Sequence, residues 1–207
     1  PESRSAAALA DVRTRAAQFP GDPLAGKALA LAELQTGNRE EARQMLERLL
    51  AASPDDPDLL RWRAMASGPG AAGFQDARTH LTRAFTAAPN DWRTLHAYAR
   101  LFQPVRQPLP THAMNALLRA HELAPQVSEV VLDTAVALTQ AGRLPEAAVV
   151  LEPLAWSPHG GPAASFAQTL LQLARSGDRA GLLAAALEQQ QKAQARSAAA
   201  RARLPGA

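Results

Sequence analysis

Five histidines, His80, His96, His112, His121 and His159, are the side chains best suited to moving protons or holding a metal in this chain of 207 residues. Their spacing supports neither role. A zinc-binding helix places two histidines four residues apart, so that both imidazoles reach one ion. His121-Glu122 begins such a motif, but Pro125 stands where the second histidine belongs. Cysteine is absent, which excludes disulfides, thiolate metal sites and cysteine nucleophiles. No G-x-S-x-G elbow, phosphate-cradling loop or dinucleotide fingerprint occurs. The chain is therefore expected to hold no metal or cofactor and to catalyse nothing. His80 and His112 read as partly exposed helix residues, and His159 lies in the break before Gly160. Trp62, Trp92 and Trp156 fall at the ends of helical stretches, where large rings are expected to fill gaps between packed helices. Met45, Met65 and Met114 are too few for an adaptable Met-rich surface.

Charge narrows the partners. Lys and Arg number 22 against 19 Asp and Glu, a net charge of +3. The last twenty residues hold Lys192, Arg196, Arg201 and Arg203 against Glu188 alone, so the rest of the chain is balanced. A nucleic-acid partner is not expected, because its basic, aromatic-laced footprint is missing. Apolar residues make up 47%, which excludes general disorder, and aromatics only 4%. The abundance of Ala and Leu favours close-packed helices over sheets. No apolar run approaches the ~18 residues that a membrane span requires, so insertion is not expected. The lack of an initiator Met suggests a chain processed or excised from something longer. The Ala/Arg/Pro-rich composition suits a bacterial protein, and zero cysteine favours the periplasm over the cytoplasm.

With 16 prolines and 12 glycines, such a chain must be cut into many short helices. Pro20, Pro54, Pro89, Pro125 and Pro158 each close an Ala/Leu-rich stretch, at spacings of 34, 35, 36 and 33 residues. Counting Pro23 as position 1 puts Leu29 at 7, Ala30 at 8, Ala32 at 10, Gly37 at 15, Glu41 at 19, Ala42 at 20, Leu46 at 24 and Pro54 at 32. Counting from Ser128 repeats the pattern with Ala135, Ala137, Gly142, Glu146, Ala147 and Leu151. Two weaker units lie between. The one from Pro57 keeps Ala64, Ala77, Ala84 and Pro89, but Ser67-Gly68-Pro69-Gly70 shortens its first helix. The one from Trp92 keeps Ala99, Ala113, Ala120 and Pro125, with Gln103–Pro110 replacing its turn. Three prolines make that segment a stiff, extended loop, able to reach over a groove edge or simply tolerated as an insertion.

This arrangement strongly resembles the tetratricopeptide repeat, a helix–turn–helix unit of about 34 residues. The resemblance implies an all-α fold, a right-handed α-α superhelix (solenoid) of about five units and about eleven helices. The units would be a half-repeat at 1–22, repeats at 23–56, 57–91, 92–127, 128–161 and 162–187, and a basic C-terminal capping helix or tail at 188–207. Small residues at positions 8 and 20 would let paired helices approach closely. Gly37 would end a first helix in the left-handed region, and Asn38 would cap the next helix. The half-repeat would leave an apolar stripe on residues 2–19, pointing to more chain upstream or to self-association through that stripe.

In this family positions 2, 5, 9 and 12 of each first helix line a concave face. Carried onto this chain they are Leu24, Lys27, Leu31 and Leu34; Asp58, Arg61 and Met65; Arg93, His96 and Arg100; and Glu129, Leu132, Val136 and Thr139. The centre of that face would be basic, through Lys27, Arg61, Arg93 and Arg100, with apolar flanks. A protein or peptide with acidic and aliphatic side chains would complement it. The plainer alternative is that these cations merely solvate a curved surface. Lys27 and Arg93 also fit a carboxylate-clamp variant of the family, but Leu31 and Ala97 break it, so chaperone-tail binding is not assigned. The expected function is a non-enzymatic interaction scaffold, of the kind bacteria use in envelope assembly, secretion, polysaccharide export or cytochrome maturation. Two alternatives stand beside it: the repeat arm of a larger peptidase or glycosyltransferase, and a self-associating structural module.

Overall fold

The structure is a computed structural model and describes residues 2–19, 21–102 and 107–201, with side chains from residue 10 to 199 within these ranges. Pro20, the Gln103–Arg106 part of the predicted stiff loop, and Arg203 lie outside the described residues. Among the described residues there are eleven helices and no strand. They are α1 (Glu2–Gln18), α2 (Pro23–Thr36), α3 (Arg39–Ala52), α4 (Pro57–Met65), α5 (Gly70–Ala87), α6 (Trp92–Leu101), α7 (Thr111–Leu123), α8 (Ser128–Gln140), α9 (Leu144–Ala155), α10 (Gly161–Arg175) and α11 (Arg179–Arg201). They fall into two compact units, α1–α5 and α6–α11 as far as Ala195, divided between Pro89 and Asn90.

In the first unit α1 packs on α2, α2 pairs with α3, α4 pairs with α5, and α4 also packs on α2 and α3. The second unit repeats this scheme: α6 pairs with α7, α8 with α9, α7 packs on α8, and α10 packs on α9 and α8. Serial pairing of this kind is what stacked helix–turn–helix repeats produce. The helices begin at Pro23, Pro57, Trp92 and Ser128, as the spacing predicts. Local chemistry explains three of these starts. Asp22, Asp56 and Asp91 each accept hydrogen bonds from backbone N–H groups of the first turn, at 2.9–3.2 Å. Pro23 and Pro57 occupy first positions, where a missing N–H costs nothing.

Small residues hold the pairs together. Ala30, Ala64, Ala99 and Ala135 at position 8 are all buried, as are Ala42 and Ala147 at position 20 and their counterparts Ala77 and Ala113, displaced by insertions of one and two residues. Gly37 adopts φ 96° at the end of α2, and the N–H groups of Gly37 and Asn38 both close onto the Glu33 carbonyl. The predicted cap by Asn38 does not form. Its amide instead donates to the Glu33 carboxylate at 2.5 Å, where a buried charge has the greater need of a donor. After the Ser67–Gly70 break, Gly73 meets the Gly68 backbone so closely that a Cβ would stand 1.7 Å from its carbonyl oxygen.

One other expectation is corrected. Trp62 and Trp92 pack against the core, but Trp156 is 64% exposed at the end of α9 and fills no gap. α11 runs unbroken past residue 188 as one helix. Among the described residues no helix is long and apolar enough to cross a membrane.

Candidate functional site

Helix spacing of three and four residues gathers the first-helix side chains onto one face in each unit. In the first unit Leu24 is 74% exposed and Met65 is 52% exposed, while Leu31 is half-buried and Leu34 leans onto the core. The two cations on this face are held by carboxylates. Lys27 Nζ donates to Asp56 Oδ2 at 2.5 Å. Burial would raise the Asp56 pKa, but Lys27 and the capped N–H groups outweigh it and hold the carboxyl below its ordinary value. Arg61 pairs with Asp58 and lies 5.9 Å from the Trp62 ring centre.

The second unit carries a denser network. Arg93 lies 4.7 Å from the Trp92 ring centre, with Asp91 at 3.8 Å. His96 is buried on α6, its Nε2 2.8 Å from Asp133 Oδ2 on α8. Arg100 pairs with Glu129, and its Nε stands 3.9 Å from the same Asp133 oxygen. Leu132 and Val136 are half-buried. Thr139 departs from its predicted place on the open face. It is fully buried, and its hydroxyl donates back to the Ala135 carbonyl at 2.8 Å. All four predicted cations thus have acidic neighbours, and the surface presents paired charge rather than a bare positive field.

Donor atoms of His96, Glu129 and Asp133 lie within 4.8 Å of one another, a spacing that could hold a cation. Arg100 already compensates both carboxylates, so the arrangement is an ion-pair network between α6 and α8. It ties half-buried Asp133 of α8 to His96 and Arg100 of α6.

Several structural residues escaped the sequence reading. Glu33 is 2% exposed and accepts from Arg13 at 2.8 and 3.0 Å and from Asn38. Burial pushes its pKa up, and these donors more than reverse the shift. Arg63 is buried between Glu47 of α3 and Asp76 of α5, at 3.1 and 2.7 Å, and Ser67 also donates to Asp76. A depression of about 490 Å³ lies where α1, α2 and α3 meet, edged by the half-exposed Phe19. Beside the second unit's face, Arg179, Leu183 and Leu187 of α11 approach α8. The one sequence cue was the apolar spacing Leu182-Leu183-x-x-Ala186-Leu187, which marks a sticky helix edge but not its receptor.

Residues 23–66, spanning α2, α3 and α4, match the family described as tetratricopeptide repeat. No curated protein matches the chain.

Proposed function

We propose that the first-helix faces of this chain hold a partner protein or peptide without catalysis, a reading supported by the tetratricopeptide repeat match over residues 23–66, which suggests a protein–protein interaction module. The carrying observation is the pair Leu24 and Met65. Both are large apolar side chains left more than half exposed on first helices of adjacent repeats, at positions that the family uses for contact. Leu31 and Leu34 hold further such positions on α2, and Lys27 and Arg61, each ion-paired, hold the fifth position of their helices. Aliphatic side chains of a partner supply affinity on such a surface. Acidic side chains set its register by competing for Lys27 and Arg61 on the face of the first unit, or for Arg93 and Arg100 on the face of the second. The Ala/Arg/Pro-rich composition supports a bacterial setting for the proposal, and the family resemblance adds envelope assembly, secretion, polysaccharide export or cytochrome maturation as its settings.

A photo-crosslinking residue at Leu24 or Met65, compared with one at Phe85 on the second helix α5, tests the assignment. Phe85 is 45% exposed, so its accessibility is close to the 52% of Met65. Partner adducts at positions 24 and 65 but not 85 are expected, together with weakened capture when Arg61, Arg93 and Arg100 are changed to Glu. Equal adducts at all three positions reject this face.

The depression beside α1 favours a second reading, self-association through α1 and Phe19. Light scattering across a dilution series tests it, and a monomer at every concentration dismisses it.

A further inference from the structure

The edge of α11 meets the inner face of the second unit. Leu182 is fully buried in the cluster formed with α8, α9 and α10. Beside it, Leu183, Ala186 and Leu187 are half-buried and share a cavity of about 140 Å³ with Val136 and Gln140 of α8 and Arg100 of α6. Residues 183, 186, 187 and 190 form one stripe on α11, and 133, 136 and 140 form one on α8, so two helical edges face each other across this space. Arg179 anchors the start of α11. Its Nε donates to the Thr139 carbonyl at 3.0 Å and its Nη2 to the Gln140 carbonyl at 2.6 Å. These carbonyls belong to the last turn of α8, where helical partners run out and a cation suits the dipole. From Glu188 to Ala199 every residue of α11 is exposed.

The fit is incomplete in two respects. The two helix edges do not close on each other: the space between them is a cleft partly open to solvent, and it could take several methyl groups. Gln140 is 7% exposed, and its Oε1 is buried with no hydrogen-bond partner among the described residues. Buried acceptors are nearly always satisfied. An alanine, Ala186, faces the space where a longer side chain would fill it.

We propose that the inner face of α6 and α8 is a receptor for an amphipathic helix, and that α11 occupies it here as a tethered, displaceable ligand. The partner helix carries a cation at its N-terminal end for the α8 carbonyls. It carries a bulky aliphatic residue in place of Ala186 and a hydrogen-bond donor within reach of Gln140 Oε1. This inference rests on the reading of first-helix side chains as the contact face, and it names the kind of partner that the second unit takes.

A fluorescent peptide of residues 179–195, and the same peptide with Ala186→Leu, would be titrated into the full chain and into a full-length Leu183→Glu/Leu187→Glu variant. The variant is expected to bind the parent peptide at least tenfold more tightly than the unaltered chain, because its own helix no longer competes. The Ala186→Leu peptide is expected to bind severalfold more tightly still, and adding Val136→Glu to the variant abolishes binding. Equal affinity for variant and unaltered chain overturns the proposal. If the double variant does not fold, Arg179→Ala replaces it, and hydrogen exchange is followed in the unaltered chain under excess Ala186→Leu peptide. Amides 182–187 exchanging at least tenfold faster show displacement; unchanged exchange at saturating peptide overturns it. Crosslinking at Leu24 and Met65 reads the first unit alone, so failure of the general function and failure of this inference give separate results.

Discussion

The face of α2 and α4 and the face of α6 and α8 use the same repeat positions, yet one is open and the other is occupied. In the first unit Leu24 and Met65 stand in solvent, and the ion pairs Lys27–Asp56 and Arg61–Asp58 stay near helix starts. In the second, His96 is buried against Asp133, Arg100 reaches Glu129, and α11 lines a common cleft with Val136. Repeat register decides which side chains share a face. Whether they are available depends on what else the chain lays across them, which no 34-residue pattern encodes. The first unit therefore keeps its first-helix side chains in solvent, and in the second α11 lies near them.

The largest effect that would sharpen this contrast comes from the cores. Leu46→Ala and Leu138→Ala each empty a fully buried site and are expected to cost about 2–5 kcal/mol in chemical denaturation. Leu138 shares its cluster with Leu182, so hydrogen exchange should show α11 loosening in that variant, whereas Leu46→Ala disturbs only α2–α4. Gly73→Ala should cost about 1–3 kcal/mol, because the new methyl meets backbone that must move. Gly21→Ala, with nothing within 4 Å of its added Cβ, is the neutral control.

Acid should separate the units. Glu33, Asp56 and Asp76 in the first unit have folded-state pKa values lowered by their donors, against opposing burial. The stability they contribute is complete above their ordinary values of 4.5, 3.8 and 3.8, and it is lost as pH falls below these. His121 in the second unit is held below 6.5 by burial, despite the opposing pull of Glu122. There the unfolded chain takes up the proton first, so stability begins to fall once pH drops below 6.5. Exchange rates resolved by unit at pH 7, 5.5 and 4 should show the second unit weakening earlier. Glu33→Gln should flatten only the lower part of the first unit's profile. The smallest effect is Met65→Ala, expected within ~0.5 kcal/mol on stability while lowering partner capture.

Helix starts and close approaches were legible because they rest on local chemistry. An Asp before Pro23 or Pro57 declares a helix start, and an alanine every 34–36 residues declares where two backbones meet. Gly37 and Gly142 were legible for the same reason: both adopt the left-handed φ that a turn demands. Glu33 and Arg63 were not, since a lone charge on a helix reads as a solvated residue until a partner 20 or 13 positions away folds beside it. Thr139 followed the repeat position but satisfied its hydroxyl within its own helix. The leucines of α11 could be read as an apolar edge. Their receptor on α8 could not, because it lies about 40 residues upstream and is set by packing alone.

Asp56 holds two structures with one side chain: it accepts the first-turn N–H groups of α4 and grips Lys27 from α2. In a stacked array, stability is divided between what each repeat has alone and what it gains from its neighbour. Here both shares pass through the same carboxylate. Loosening α2 withdraws the cation and exposes the start of α4 to fraying, so melting in this unit should travel from repeat to repeat like an opening zip.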